Sequence, residues 1–152
     1  MIFFAHFNAR SLLTDFALFQ DHVMLYDYSI IGVSETWLHN GISDSAVDIT
    51  NYFIVRQDRA TRAGGVAVYV KSDIEYSTIL IESKEFIEQI WLKTKISNKV
   101  LIIGIVYRPP NTNSQEFFLY LEDTLVDLYT SFDSILLMGD FNINMYNLNN
   151  NL

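Results

Sequence analysis

The 152-residue sequence contains no cysteine. That excludes disulfides, thiolate metal sites and a cysteine nucleophile. Proline is nearly absent too: the two present are adjacent, Pro109-Pro110, and they stop whatever strand precedes them because they lack the ladder donor. No apolar run approaches the length of a membrane span. The apolar start, Met1-Ile2-Phe3-Phe4-Ala5-His6, is short and has no basic flank, so it reads as a strand rather than a signal peptide. Positive charge is scarce, with ten Lys and Arg against eighteen Asp and Glu, a formal net charge of −8. Such a chain does not bind nucleic acid by bulk charge. It can bind cations, or concentrate its basic residues locally. Arg56, Arg59, Arg62 and Lys71 lie close in sequence with only Asp58 and Asp73 nearby, although a solvated basic loop accounts for them equally well. The expected setting is intracellular and soluble.

Half of the residues are hydrophobic and 14% are aromatic, so the chain is globular, and its length suits one domain, residues 1–152, with a real core. Residues 2–7 form a short apolar run ending at Asn8. Leu12, Phe16, Phe19, Val23 and Tyr26 recur at helical spacing, with Ser11 or Thr14 as the expected cap. Tyr28 to Val33 is a β-rich run ending at Ser34-Glu35-Thr36-Trp37, and residues 39–51 read as a loop. Strands are expected at Tyr52–Val55, Val66–Lys71, Glu75–Ile81 and Glu88–Ile96, with a hairpin turn at Ser97-Asn98-Lys99. Val100 to Tyr107 is nearly all apolar and β-branched, the pattern of a central strand buried on both faces. Asn113 with Glu116 resembles a helix start, and Phe117, Leu121, Leu125 and Leu128 supply the apolar stripe. Ser134 to Met138 is the last strand, and residues 142–152 are asparagine-rich without a core pattern. Helices alternating with strands at both ends imply α/β architecture with sheets covered by helices.

Four apolar strands end in chemically useful residues: Asn8, Glu35, Tyr107 with Arg108, and Asp140 with Asn142. In an extended segment Asp140 and Asn142 face the same way, an acid that accepts a proton beside an amide that donates to an oxyanion. Gly139-Asp140-Phe141-Asn142 is equally the composition of an Asx turn after a buried strand. Strands of one sheet can bring such ends together at one edge. Carboxylates, amides, a phenol and a guanidinium then suit an oxygen-ligated hard cation and a phosphate.

Five segments carry a resemblance: Phe7-Asn8-Ala9-Arg10-Ser11-Leu12, Ser34-Glu35-Thr36-Trp37-Leu38, Gly64 to Val70, Val106-Tyr107-Arg108-Pro109-Pro110, and Gly139-Asp140-Phe141-Asn142. Together, in this order across almost the whole chain, they resemble the endonuclease/exonuclease/phosphatase superfamily, and most nearly the apurinic-like endonuclease domain of non-LTR (LINE-type) retrotransposons. The resemblance implies a two-sheet sandwich flanked by helices and phosphodiester cleavage dependent on magnesium, with manganese as the alternative. It matches Glu35 to the acidic metal ligand and Asn8 to the amide that helps hold metal and phosphate. Tyr107 matches the tyrosine at the scissile phosphate, Asp140 the aspartate that orients or deprotonates the attacking water, and Asn142 the amide that stabilises the phosphorane. Arg10 and Arg108 are weaker candidates for phosphate contact, and the Arg56, Arg59 and Arg62 loop for the DNA backbone. The implied partners are DNA and a reverse transcriptase domain in the same polypeptide, in a nuclear setting.

The family pattern continues past Gly-Asp-Phe-Asn to a closing Ser-Asp-His motif, and nothing in the sequence matches it: His6, His22 and His39 all come earlier. The expectation is a domain incomplete at its C-terminal end, with weak or no nicking of its own. Another phosphoesterase of the superfamily, acting on a lipid or nucleotide phosphate, and a non-catalytic remnant are the alternatives. His6 is expected to be an inward core or edge histidine, and His22 and His39 to face solvent. Trp37 should pack under Glu35, and Gly64-Gly65 should be a plain turn.

Overall fold

Two parallel strand pairs, each joined by a helix, frame the molecule. The structure, a computed structural model, describes residues 1–60 and 63–143. In chain order the elements are β1 (Phe4–Asn8), α1 (Phe16–Tyr26), β2 (Ile30–Ser34), a 3₁₀ turn (Asp44–Val47), β3 (Tyr52–Gln57), β4 (Val66–Lys71), β5 (Tyr76–Ile79), β6 (Glu88–Ile96), β7 (Lys99–Tyr107), α2 (Ser114–Tyr129) and β8 (Ile135–Asp140). They form two four-stranded sheets, ordered β1-β2-β4-β3 and β5-β6-β7-β8. β1 with β2 and β7 with β8 are parallel; every other ladder is antiparallel. A parallel pair needs a crossover connection, and α1 and α2 provide the two crossovers.

Three apolar clusters show the layers. Val23 of α1 and Leu12 pack on Ile31, Val33, Ala67 and Tyr69, outside the first sheet. Ile30, Val66, Val68 and Val70 meet Ile90, Leu92, Ile103 and Ile105 between the sheets. Phe117, Leu121 and Leu128 of α2 cover Trp91, Ile102 and Val106 outside the second. The result is the expected α/β sandwich with a helix on each outer face. Because β4 and β7 are buried on both faces, their near-continuous apolar runs replace alternation. Each large aliphatic side chain so buried contributes about 1.5–3 kcal/mol of transfer free energy.

Local departures from the sequence reading have local causes. α1 begins at Phe16, and its N-cap is Asp15 with no side-chain cap bond. Ser11 and Thr14 instead bond each other, Thr14 Oγ1 to Ser11 Oγ at 2.8 Å. Leu12 is buried ahead of the helix, while Tyr26, at the end of the same stripe, is exposed. Residues 39–51 are less plain a loop than their sequence suggests, since Val47 and Ile49 are buried in the outer core. Asn113 does cap α2, its side-chain oxygen accepting from the Gln115 and Glu116 amides. The β6–β7 hairpin turns on Ser97 and Asn98, with φ of 49° and 66°, the left-handed pair of a tight two-residue turn. Lys99 already belongs to β7. Among the described residues no helix is long and apolar enough to cross a membrane.

Candidate functional site

The carboxyl ends of both parallel pairs open on one mouth. β1 and β2 deliver Asn8 and Glu35 from one sheet, and β7 and β8 deliver Tyr107 and Asp140 from the other. The site therefore lies between two sheets, not along the edge of one as the sequence suggested. Asn8 closes the gap: its Nδ2 donates to Glu35 Oε1 at 2.9 Å and to Asp140 Oδ2 at 2.7 Å. Both amide hydrogens are thus spent on carboxylates from opposite sheets. A cavity of about 660 Å³ beside them is lined by His6, Asn8, Asp140 and Asn142, among others.

Glu35 sits one residue past β2 in the left-handed region, φ 53°. Its segment is stitched on both sides. Ser11 and Leu12 amides donate to the carbonyls of Glu35 and Thr36 at 3.0 and 2.9 Å, and Thr36 and Trp37 amides donate to the carbonyls of Gly65 and Gly64 at 3.2 and 2.9 Å. Gly64-Gly65 is therefore a strap across the Glu35 loop rather than a plain turn, with φ of 78° and 86° that favour glycine. Trp37 is 38% exposed, while its neighbours Thr36 and Leu38 take the buried positions.

Tyr107 is 3% exposed. Burial first, then the Glu35 and Glu88 carboxylates, push its hydroxyl well above the ordinary phenol range. It stays a protonated donor at any physiological pH. His6, two residues before Asn8 on β1, has its pKa lowered by burial against a smaller opposing pull from Asp140, and its Nε2 is buried without a hydrogen-bond partner.

Asp140 and Asn142 both line the cavity, but not by strand alternation. β8 ends at Asp140, and Asn142 turns to φ 47°, so the period of two no longer applies. Asp140 Oδ1 accepts from the Asn142 amide at 3.1 Å, an Asx turn, while Asn142 Nδ2 donates to the Arg108 carbonyl at 2.7 Å. Arg108 is itself 8% exposed. Its guanidinium donates to the carbonyls of Phe141 (2.7 Å), Thr112 (2.7 Å) and Asn142 (2.5 Å), which fixes the turn and leaves it a holder of backbone, not an open phosphate contact.

The basic stretch is largely neutralised. Arg56 donates to Asp44, Asp58 and the carbonyls of His39 and Ile42, a structural tie rather than a DNA contact. Lys71 pairs with Asp27 at 2.6 Å. Arg59 lies 3.4 Å from Glu88 and is 36% exposed. Arg10 is exposed two residues beyond Asn8, and Arg62 lies outside the described residues, as do residues 144–152 of the asparagine-rich tail. His39 is exposed as expected, but His22 is half-buried, bonded to the Tyr28 hydroxyl at 3.1 Å. The sequence reading missed Glu88, a buried acid whose only advance signal was its place at the head of a strand.

Among the described residues, no three His, Asp or Glu side chains gather closely enough to hold a metal ion. The donors present, the Glu35 and Asp140 carboxylates with the Asn8 amide oxygen, are all oxygen. That suits a hard cation that keeps several waters and completes its shell from substrate.

The fold and mouth define an α/β sandwich with an acid–amide site at the carboxyl ends of its parallel strands. The chain belongs to the endonuclease/exonuclease/phosphatase family, whose model matches residues 5–149. Enzymes of this family are generally dependent on divalent metals. The mannosyl-6-phosphatase Bt3783 of Bacteroides thetaiotaomicron VPI-5482 is similar in structure, with a TM-score of 0.76, 13% identity, and 97% of this chain and 68% of that one covered. TDP2 of D. rerio complexed with single strand DNA product has a TM-score of 0.64 and 15% identity, over 92% of this chain and 60% of that one. An AP endonuclease from Archaeoglobus fulgidus has a TM-score of 0.61 and 17% identity, over 94% and 58%. At such identities the likeness is one of fold, and this chain spans between 58% and 68% of their lengths. No curated protein matches the chain.

Proposed function

We propose that the chain is an endonuclease domain of the non-LTR retrotransposon type, hydrolysing DNA phosphodiester bonds with a divalent metal, magnesium before manganese. The observation that carries the reading is the Asn8 amide shared by Glu35 and Asp140, which gathers a metal-side acid and a base-side acid around one position. The ordered Asn-Ala-Arg-Ser, Ser-Glu-Thr-Trp, Tyr-Arg-Pro-Pro and Gly-Asp-Phe-Asn wording supports the retrotransposon type within the family. With it come DNA and a reverse transcriptase domain as partners, and a nuclear setting.

In this reading Glu35 and Asn8 hold the metal, which supplies charge neutralisation at the phosphate. Asp140, fixed through both oxygens by Asn8 and the Asn142 amide, orients a water and takes its proton. Tyr107, kept protonated, donates to a phosphate oxygen. Asn142 and Arg108 lock the turn that aims Asp140. In this reading the exposed Arg10 and the partly exposed Arg59 are the described arginines left to meet flanking DNA backbone.

Nicking of supercoiled plasmid with magnesium tests this. The expected result is weak nicking at most, which Asp140→Ala removes and manganese sustains. Cleavage left untouched by that substitution would strip Asp140 of its role, and its absence in the unsubstituted chain would favour a binding domain. The fold likeness to a mannosyl-6-phosphatase favours a phosphomonoesterase as the second reading. A panel of sugar, nucleotide and lipid phosphates separates the two.

A further inference from the structure

We propose that Glu88 is the positioning residue of the site: from the second sheet it clamps the Gly64-Gly65 strap, and through the strap it sets the loop that carries Glu35. The proposal rests on the metal-side reading of Glu35 and goes beyond it, since Glu88 touches neither substrate nor the mouth's own acids.

Glu88 opens β6, directly across the ladder from Tyr107, and is 8% exposed. Its Oε2 accepts from the Gly65 amide at 2.5 Å. Gly65 immediately precedes β4, in the other sheet. The same two glycines turn their carbonyls to the Thr36 and Trp37 amides, so one peptide strap is held by Glu88 on one side and holds the Glu35 loop on the other. A side chain at Gly65 would reach within 2.5 Å of Thr36 Oγ1, so the strap lies hard against that loop. Glu35 stands at φ 53° and Trp37 at φ 55°, conformations that persist only where the surroundings fix them.

A residue that merely filled space would not need a carboxylate here. Burial pushes the Glu88 pKa up against the opposing pulls of the Gly65 amide and Arg59, and its Oε1 has no hydrogen bond while lying 3.4 Å from Arg59 Nε. An acid kept in such a place is kept for its acceptor.

The test compares Glu88→Gln and Glu88→Ala in the full chain, by amide hydrogen exchange and by Mn²⁺ binding measured by electron paramagnetic resonance. Glutamine keeps an oxygen for the Gly65 amide; alanine does not. Exchange at Thr36 and Trp37 should quicken about tenfold in Glu88→Ala, the size of one lost charge-assisted hydrogen bond, and stay near wild type in Glu88→Gln. Exchange inside β7 should not change in either. Mn²⁺ affinity should fall in the same order. Unchanged exchange in Glu88→Ala, or equal quickening in both variants, overturns the clamp. If Glu88→Ala does not fold, Glu88→Asp, one methylene too short to reach, takes its place with the same expected contrast. Should wild type bind no Mn²⁺ while exchange behaves as expected, the clamp stands and the metal reading of Glu35 falls.

Discussion

Asn8 and Asp140 are 132 residues apart in sequence and 2.7 Å apart in space. The amide that makes this contact also holds Glu35, so a single side chain brings an acid of each sheet to one point. Two carboxylates this near would repel each other if both were ionised without a donor between them.

Replacing that donor should therefore do more than remove a bond. Asn8→Asp replaces the donor with a third carboxylate and should lower the nicking rate about 10²-fold, the size of a lost preorganised donor. Asn8→Ala removes the donor without adding charge and should lower it less. Plasmid nicking with magnesium reads the difference, and equal rates for the two variants would contradict the bridge.

Arg108 should behave as a structural residue of the site. Arg108→Lys cannot reach three carbonyls with one ammonium, and buried carbonyls would be left unpaired. A loss of about 3 kcal/mol is expected. Urea unfolding with an unchanged slope measures it; a wild-type midpoint would show that the Phe141, Thr112 and Asn142 contacts carry little.

Gly139 is needed for space. A Cβ there would collide with the Val106 carbonyl across the β7–β8 ladder. Gly139→Ala should cost about 1–3 kcal/mol in forced backbone movement, and because Asp140 is the next residue, activity should fall further than stability. Thermal unfolding beside a nicking rate separates the two effects.

Stability should decline at alkaline pH. Burial raises the pKa of Tyr69, which donates to the Val47 carbonyl at 2.8 Å, and of Tyr107. The folded state therefore holds these protons where the unfolded chain, near pH 10, releases them. Stability is undiminished below about pH 10 and falls as pH rises toward the folded values. Urea midpoints from pH 8 to 11 should show the fall, and Tyr69→Phe should flatten part of it while losing about 1 kcal/mol at neutral pH. A slope unaffected by the substitution would mean that Tyr69 titrates normally.

Much of the site was legible because it sits at strand ends. Apolar runs that stop at Asn8, Glu35, Tyr107 and Asp140 mark where a sheet runs out, and parallel pairing puts such ends together. Asn142 reaches the cavity by another route than the one its spacing suggested: alternation holds only while the strand lasts, and the Asx turn ends it at Asp140. Arg56 looked available because its acceptors, Asp44 and two loop carbonyls, come from a segment with no period of its own. Glu88 was invisible as a site residue because its partner is a backbone amide, and backbone donors leave no trace in residue types.

The sequence by itself determined the strands and helices, the capped start of α2, and the order of the acids and amides, since these depend on side-chain period and on residues a few positions apart. Only the tertiary structure decided that the site joins two sheets. It also decided that Asn8 spans them, that Arg56 and Arg108 serve the fold, and that a glycine strap holds the Glu35 loop. Each of these rests on hydrogen bonds between distant segments, whose partners are set by how the layers pack.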